Sequence, residues 1–103
     1  SDDVLAKMAA SVGARDGDVV CFGHTHKPWQ RTVDGVLFVN TGSVGRPKDG
    51  DPRAGYVILD AGAARIAAEV IRVGYNVEEA AAGILASTLP HDFADYLRTG
   101  GAR

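Results

Sequence analysis

The apolar residues at the start of the chain recur at helical spacing. Between residues 4 and 12 they fall on one face of a helix. Ser1 or Asp2 is a suitable N-cap, and Gly13 is a suitable residue for ending the helix. The pattern therefore predicts a first amphipathic helix over residues 4–12.

Short continuous apolar runs follow and predict strands. Residues 19–22 form such a run, which we expect to be buried on both faces with Cys21 as an inert core residue. Asp34-Gly35 is a strong two-residue turn signal between 30–33 and 36–40, so this stretch predicts a hairpin. Residues 55–60 predict a further strand. Residues 65–73 mix alanines, which favour a helix, with β-branched residues, which favour a strand; we expect a strand.

The last quarter of the chain has helical signals. Asn76 followed by Glu79 resembles a capping box, and the apolar spacing after it predicts an amphipathic helix over residues 77–85. Pro90 ends that helix. A short final helix is then expected to end near Gly100.

Composition narrows the function classes. The chain has 103 residues, with 11 basic and 13 acidic side chains and a formal net charge of -2, which argues against a nucleic-acid partner. Its apolar runs are too short to span a bilayer, so no membrane partner is expected. The single cysteine excludes an internal disulfide and suits a reducing compartment, and we expect no leader. We therefore expect a cytoplasmic globular protein.

The segment most indicative of chemistry is Gly23-His24-Thr25-His26, because imidazole is a common ligand of divalent transition metals. In a regular strand the two histidines would point to opposite faces. They reach one site only if the chain turns, which Gly23 and Pro28 allow; alternatively, each serves one of two neighbouring metals. A solvated loop with incidental histidines is the simpler interpretation of this segment taken alone.

A second motif changes that interpretation. Residues 40–45 read Asn-Thr-Gly-Ser-Val-Gly and follow the second strand of the hairpin. Together with residues 22–26 they resemble the last motifs of the calcineurin-like metallophosphoesterases, in particular the small bacterial and archaeal phosphodiesterase branch. The resemblance extends over roughly residues 5–75. It implies an α/β fold, a two-sheet β-sandwich flanked by helices, of which residues 1–103 form the C-terminal half.

The resemblance also implies a site. Enzymes of this family hold two divalent metal ions, Mn, Fe, Ni or Zn. By resemblance, His24 would bind the second metal and His26 the first. Asn40, Ser43 and Arg46 are further candidates, either for contact with substrate or for support of the loop, and for Asn40 and Ser43 we favour the supporting role. The early Asp-x-His motif of the family is absent from these 103 residues, so the chain is expected to contain no catalytic residue of its own.

The expected function follows from that site. We expect a dinuclear-metal phosphodiesterase or phosphatase that hydrolyses a small phosphate ester when intact, with the 103-residue chain alone inactive. Its partner would be a missing N-terminal half or a second copy of the chain. The alternative is a non-catalytic protein-interaction scaffold with the same fold. A self-contained metal module is a weaker alternative, because two histidines are too few for a closed structural zinc site.

Overall fold

The fold has two sheets with helices beside them. The computed structural model describes residues 1–62 and 65–101. This mixed α/β arrangement confirms the expected fold class. In chain order the elements are α1 (Asp2–Val12), β1 (Val19–Phe22), β2 (Trp29–Val33), β3 (Val36–Asn40), β4 (Ala54–Asp60), β5 (Ala67–Val73), α2 (Val77–Leu85) and α3 (Asp92–Thr99).

Helix α1 has the ends that the sequence predicts. The Ser1 hydroxyl accepts a hydrogen bond from the Val4 N–H, and Gly13 adopts a left-handed conformation with φ 71°. Asp2 and Asp3 lie in the first turn, where negative charge complements the helix dipole. The apolar face of α1 packs on the first sheet.

The first sheet has the strand order β1-β3-β2, with β1 parallel and β2 antiparallel to β3. Asp34 and Gly35 both have positive φ, 52° and 76°, as a tight two-residue hairpin turn requires. Central strand β3 is almost completely buried. Its Val36 and Phe38 form the core with Leu5 and Ala9 of α1.

Strand β1 departs from the expectation of burial on both faces. It is only half-buried, and Cys21 is exposed rather than part of the core. The physical reason is its position at the sheet edge: within the described ranges β1 pairs with β3 alone. Only its Val20 and Phe22 pack against the α1 core.

The second sheet is the antiparallel hairpin β4-β5. Strand β5 confirms the prediction of a strand, and not a helix, within residues 65–73. The Gln30 side-chain amide donates to the Ala68 carbonyl at 3.0 Å, which connects the two sheets. Tyr56, Ile58 and Val73 share one face of this hairpin and are 46%, 49% and 44% exposed. This face of β4 therefore has no cover among the described residues.

Helices α2 and α3 pack against each other at the end of the chain. The Asn76 side chain caps α2 by accepting from the Glu79 N–H at 3.0 Å, which confirms the predicted cap. Arg98 of α3 donates to Glu78 of α2 at 3.0 Å. Gly100 then ends α3 in a left-handed conformation. None of the helices in residues 1–62 and 65–101 combines the length and apolar character needed to cross a bilayer.

Candidate metal centre

Two loops leave the same edge of the first sheet. Because β1 and β3 are parallel, their carboxyl ends meet, and Phe22 is the Cα partner of Asn40. The Thr41 N–H donates to the Phe22 carbonyl at 2.9 Å, just beyond the last pair. The loop with the two histidines and the loop over residues 41–53 therefore begin side by side. In open α/β sheets, ligands bind at this edge.

The histidine loop turns at both imidazole residues. His24 has φ 87° and His26 has φ 63°. Such left-handed conformations cost a non-glycine residue about 1–3 kcal/mol and cluster at functional sites. The backbone at His24 and His26 is therefore not extended, so the alternation of side chains along a regular strand does not apply to these two residues.

Asn40 joins the two loops. Its side chain is completely buried at the end of β3. Its Nδ2 donates to the Thr25 hydroxyl at 2.9 Å, and its Oδ1 accepts from the Gly42 N–H at 2.9 Å. Thr25 lies between the two histidines, so one buried amide fixes both loops relative to the sheet.

His26 is held in the form that a metal ligand needs. Its Nδ1 lies 2.8 Å from the Arg46 carbonyl oxygen. Because a carbonyl only accepts, Nδ1 carries the hydrogen in this bond, and in the neutral ring Nε2 keeps its lone pair. Metal-binding histidines are commonly oriented by a second-nitrogen bond of this kind. His26 therefore fits the role of a metal ligand through Nε2.

The second loop is ordered by its own small residues. The Ser43 hydroxyl accepts from the Arg46 N–H at 2.9 Å. Gly42 has φ 72°, and a Cβ there would lie 3.2 Å from two carbons of Pro28. The loop is thus packed against the end of the histidine loop, and Ser43 fixes the residue whose carbonyl holds His26.

His24 is exposed and His26 is half-buried on the same loop. In the part of the chain that the structure describes, no group of three or more His, Cys, Asp or Glu side chains is placed to hold a metal ion. Two imidazoles fit part of a metal site. The remaining ligands, carboxylates above all, would have to come from elsewhere.

The basic residues near the site differ in availability. Arg31 pairs with Asp2 at 2.7 Å, and Arg53 pairs with Asp51 at 2.8 Å. Hydrogen bonds from the Arg53 side chain and backbone lower the pKa of Asp51 to about 2. The guanidinium of Arg46 lies over the rings of Phe93 and Tyr96, two neighbouring aromatic residues of α3. These three arginines are engaged within the chain.

Comparison with known proteins identifies the family. Residues 1–64 match the family model described as the calcineurin-like phosphoesterase superfamily domain. The chain belongs to the calcineurin-like phosphoesterase superfamily. The match includes both site loops and stops before β5, α2 and α3.

Two proteins that are similar to this superfamily member are longer than the chain. An uncharacterised protein of Methanocaldococcus jannaschii is 31% identical over 99 residues, covering 82% of this chain and 40% of the relative. The crystal structure of a metallophosphoesterase from Sphaerobacter thermophilus is similar with a TM-score of 0.75 and 29% identity, covering 90% of this chain and 46% of that one. This calcineurin-like chain thus spans less than half the length of either protein.

Two features of this phosphoesterase-family site were missing from the sequence predictions. Thr25 is the hydrogen-bond partner of Asn40, and its place between two histidines was an available signal. The Arg46 carbonyl is the hydrogen-bond partner of His26. Every residue has a main-chain carbonyl, so the residue type at position 46 does not indicate this contact.

Proposed function

We propose that this protein is a metal-dependent phosphoesterase that hydrolyses a small phosphate ester, a phosphodiester or a monoester. In this proposal His24 and His26 are the closing ligands of a site for two divalent metal ions. The observation that carries it is the 2.8 Å contact between His26 Nδ1 and the Arg46 carbonyl, which leaves Nε2 free to bind a metal. Membership of the calcineurin-like superfamily supports the reaction class.

We further propose that residues 1–103 form the C-terminal portion of one metallophosphoesterase domain. Two observations support this assignment. The chain spans 40% and 46% of the two relatives, and the described residues supply two imidazoles without a third ligand. An N-terminal half would then provide the carboxylates and cover β1 and the exposed face of β4-β5. A second copy of the chain is the other candidate for that cover.

Each residue of the site has a role in this proposal. When bound, two divalent ions (Mn, Fe, Ni or Zn) would supply Lewis-acid stabilisation of the phosphoryl oxygens and would activate water. His26 and His24 hold these ions. Asn40 keeps the histidine loop in its turned conformation, and Ser43 keeps Arg46 in place. Lys27 and Lys48 lie on the two loops and add positive charge that favours a phosphate ester.

The test uses the protein expressed with its upstream segment, and it measures bound metal by mass spectrometry. Hydrolysis of bis-nitrophenyl phosphate is measured with added Mn²⁺. We expect His24→Ala and His26→Ala each to lose metal and most of the activity. His91→Ala is the matched control, since His91 precedes α3 and makes no capping hydrogen bond through its side chain. Normal metal content and turnover in both site variants would contradict the assignment.

The same experiment separates the enzyme from the scaffold. A wild-type protein that binds metal through His24 and His26 yet hydrolyses neither phosphodiesters nor phosphomonoesters would support an interaction scaffold with this fold. The sequence of the upstream segment adds an independent criterion: an intact Asp-x-His pair and an Asn-His pair favour the enzyme.

A further inference from the structure

One short segment, residues 46–50, holds His26 at two points. The Arg46 carbonyl accepts from Nδ1 of the His26 ring at 2.8 Å. The Lys48 N–H donates to the His26 carbonyl at 3.0 Å. The ring and the main chain of His26 therefore both depend on where this segment lies.

Helix α3 holds the opposite side of the same segment. The guanidinium carbon of Arg46 lies 4.9 Å from the centre of the Phe93 ring and 4.7 Å from that of Tyr96. A planar guanidinium is attracted to aromatic faces at such distances. At the far end, the Gly50 N–H donates to the Gly100 carbonyl at 3.0 Å. Both ends of the segment are thus attached to α3 or to the residue that ends it.

The main chain after α3 also lies directly against this segment. A Cβ at Gly100 would be 2.5 Å from the Asp51 nitrogen, and one at Gly101 would be 2.7 Å from the Lys48 Cα. Both glycines have positive φ. Only residues without a side chain allow the two stretches of backbone to approach this closely. The segment therefore has little freedom to move away from α3.

The Arg46 side chain is held by its ring contacts more than by hydrogen bonds. Its Nε is buried and has no hydrogen-bond partner among the described residues. An unpaired buried donor is unfavourable. The contacts with the two rings are therefore the favourable interactions of this guanidinium among the described residues. The Ser43 hydroxyl meanwhile fixes the Arg46 N–H at 2.9 Å. Side chain, N–H and carbonyl of Arg46 are each engaged, and the carbonyl is the group that reaches His26.

We propose that Arg46 is a positioning residue, through which α3 fixes the ring of His26 in the tautomer with a hydrogen on Nδ1 and a lone pair on Nε2. Its importance for metal binding rests on the proposed function, in which His26 is a ligand. The family match ends at residue 64 and does not include α3. The site would then extend into the C-terminal helices.

The experiment has to distinguish this positioning role from one in which α3 only stabilises the loop over residues 41–53. If α3 only anchored the loop, removal of the two rings would lower the free energy of unfolding and leave the His26 tautomer unchanged. The tautomer is read from the ¹⁵N shifts of Nδ1 and Nε2, which differ between protonated and unprotonated ring nitrogens. This signature requires neither bound metal nor catalysis.

The experiment uses the protein with its upstream segment, labelled with ¹⁵N-histidine, free of metal and at a pH of about 9, where ordinary imidazoles are neutral. The variants are Phe93→Leu/Tyr96→Leu, which removes the aromatic faces, and Arg46→Lys, which keeps the charge but loses the planar group. Glu78→Gln is the control: it weakens the contact between α2 and α3 without touching Arg46. The ¹⁵N signals that are missing from the spectrum of His26→Ala are those of the His26 ring. Mn²⁺ titrations of the same proteins follow.

We expect wild type and Glu78→Gln to show one tautomer, with the hydrogen on Nδ1. The double leucine variant and Arg46→Lys should show a mixture and bind Mn²⁺ roughly tenfold more weakly, as for loss of other ligand-orienting groups. A folded double variant and a folded Arg46→Lys with the wild-type tautomer would overturn the proposal. If the tautomer changes while Mn²⁺ affinity is the same in His26→Ala and wild type, the positioning role stands and the proposed metal ligand is wrong.

Discussion

Asn40 donates a 2.9 Å hydrogen bond from the end of β3 to the hydroxyl of Thr25, the residue between the two histidines. The amide is completely buried, and its oxygen also accepts from the Gly42 N–H. One side chain thus joins the sheet, the histidine loop and the second loop. The positive φ values of His24 and His26 are conformations that need this kind of external support.

Asn40→Ala should therefore damage both stability and metal binding. It leaves the part-buried N–H of Gly42 and the Thr25 hydroxyl without their partner, which costs about 1–3 kcal/mol in free energy of unfolding. Thr25→Val removes one of the two bonds and keeps the side-chain shape, so its effect should be smaller. Urea denaturation gives the free energies, and Mn²⁺ titration gives the affinities. Equal stability of Asn40→Ala and wild type would show that this amide does not organise the loops.

The 103-residue chain alone should be inactive toward phosphate esters. Its described residues supply two imidazoles on one loop but no group of three or more His, Cys, Asp or Glu side chains placed to hold a metal, so it should hold metal weakly and without a fixed geometry. Calorimetric titration with Mn²⁺ and a nitrophenyl phosphodiester assay test this on material of verified mass. Addition of a separately produced N-terminal half is the informative comparison, because it should restore turnover. Robust turnover by the 103-residue chain would refute the proposal that it is a portion of the domain.

Two glycines of the C-terminal helices should respond in opposite directions to alanine. Gly100 has φ 66°, and its Cβ would lie 2.5 Å from the Asp51 nitrogen, so Gly100→Ala must shift the backbone and destabilise the protein by more than about 1 kcal/mol. Gly83 lies within α2 with open space around its Cβ position. Gly83→Ala should stabilise by up to about 1 kcal/mol, from helix propensity. Thermal unfolding of the two variants shows whether each substitution raises or lowers the stability relative to wild type. Similar effects of the two substitutions would contradict the close approach at Gly100.

The Asp51–Arg53 pair should contribute to stability in a defined acid range. Hydrogen bonds from Arg53 lower the Asp51 pKa from 3.8 to about 2, so the unfolded chain takes up this proton more readily than the folded one. The contribution is complete above pH 3.8 and is lost as the pH falls toward about 2. Asp51→Asn and Arg53→Gln should each flatten the stability curve in that window. Chemical denaturation at several pH values, at low and high salt, measures this slope. A curve unchanged in both variants would show that the pair is not formed in solution.

Local patterns predicted the elements well because each has a local cause. The caps of α1 at Ser1 and of α2 at Asn76 follow from side chains that bond their own neighbours. The turn at Asp34-Gly35 follows from the positive φ that both residues adopt. The burial of β1 was predicted wrongly, since an apolar run does not reveal whether its strand lies at a sheet edge. Cys21 is exposed for that reason.

The metal site stays a prediction, and only part of the candidate site can be inferred from sequence. The spacing of His24 and His26 and the second loop motif pointed to a metal centre. The bond from His26 to the Arg46 carbonyl and the ring contacts of Arg46 with α3 join residues far apart in sequence. Such contacts depend on the assembled fold, so spacing alone does not indicate them.

The exposed face of β4-β5 leads to the last prediction. Tyr56, Ile58 and Val73 share this face and are each more than 40% exposed. Adjacent exposed apolar side chains of this kind mark a surface that another segment covers. We expect the 103-residue chain to bind a dye specific for apolar surfaces and to self-associate in size-exclusion chromatography. Ile58→Lys should reduce both effects, whereas Glu69→Lys, a charged position on the same face, should change them little.

In the protein with its upstream segment the dye signal should be absent and Ile58→Lys should be destabilising, because a lysine would then replace a covered apolar side chain. A 103-residue chain that is monomeric, unfolds cooperatively and binds no dye would show that nothing needs to cover this face.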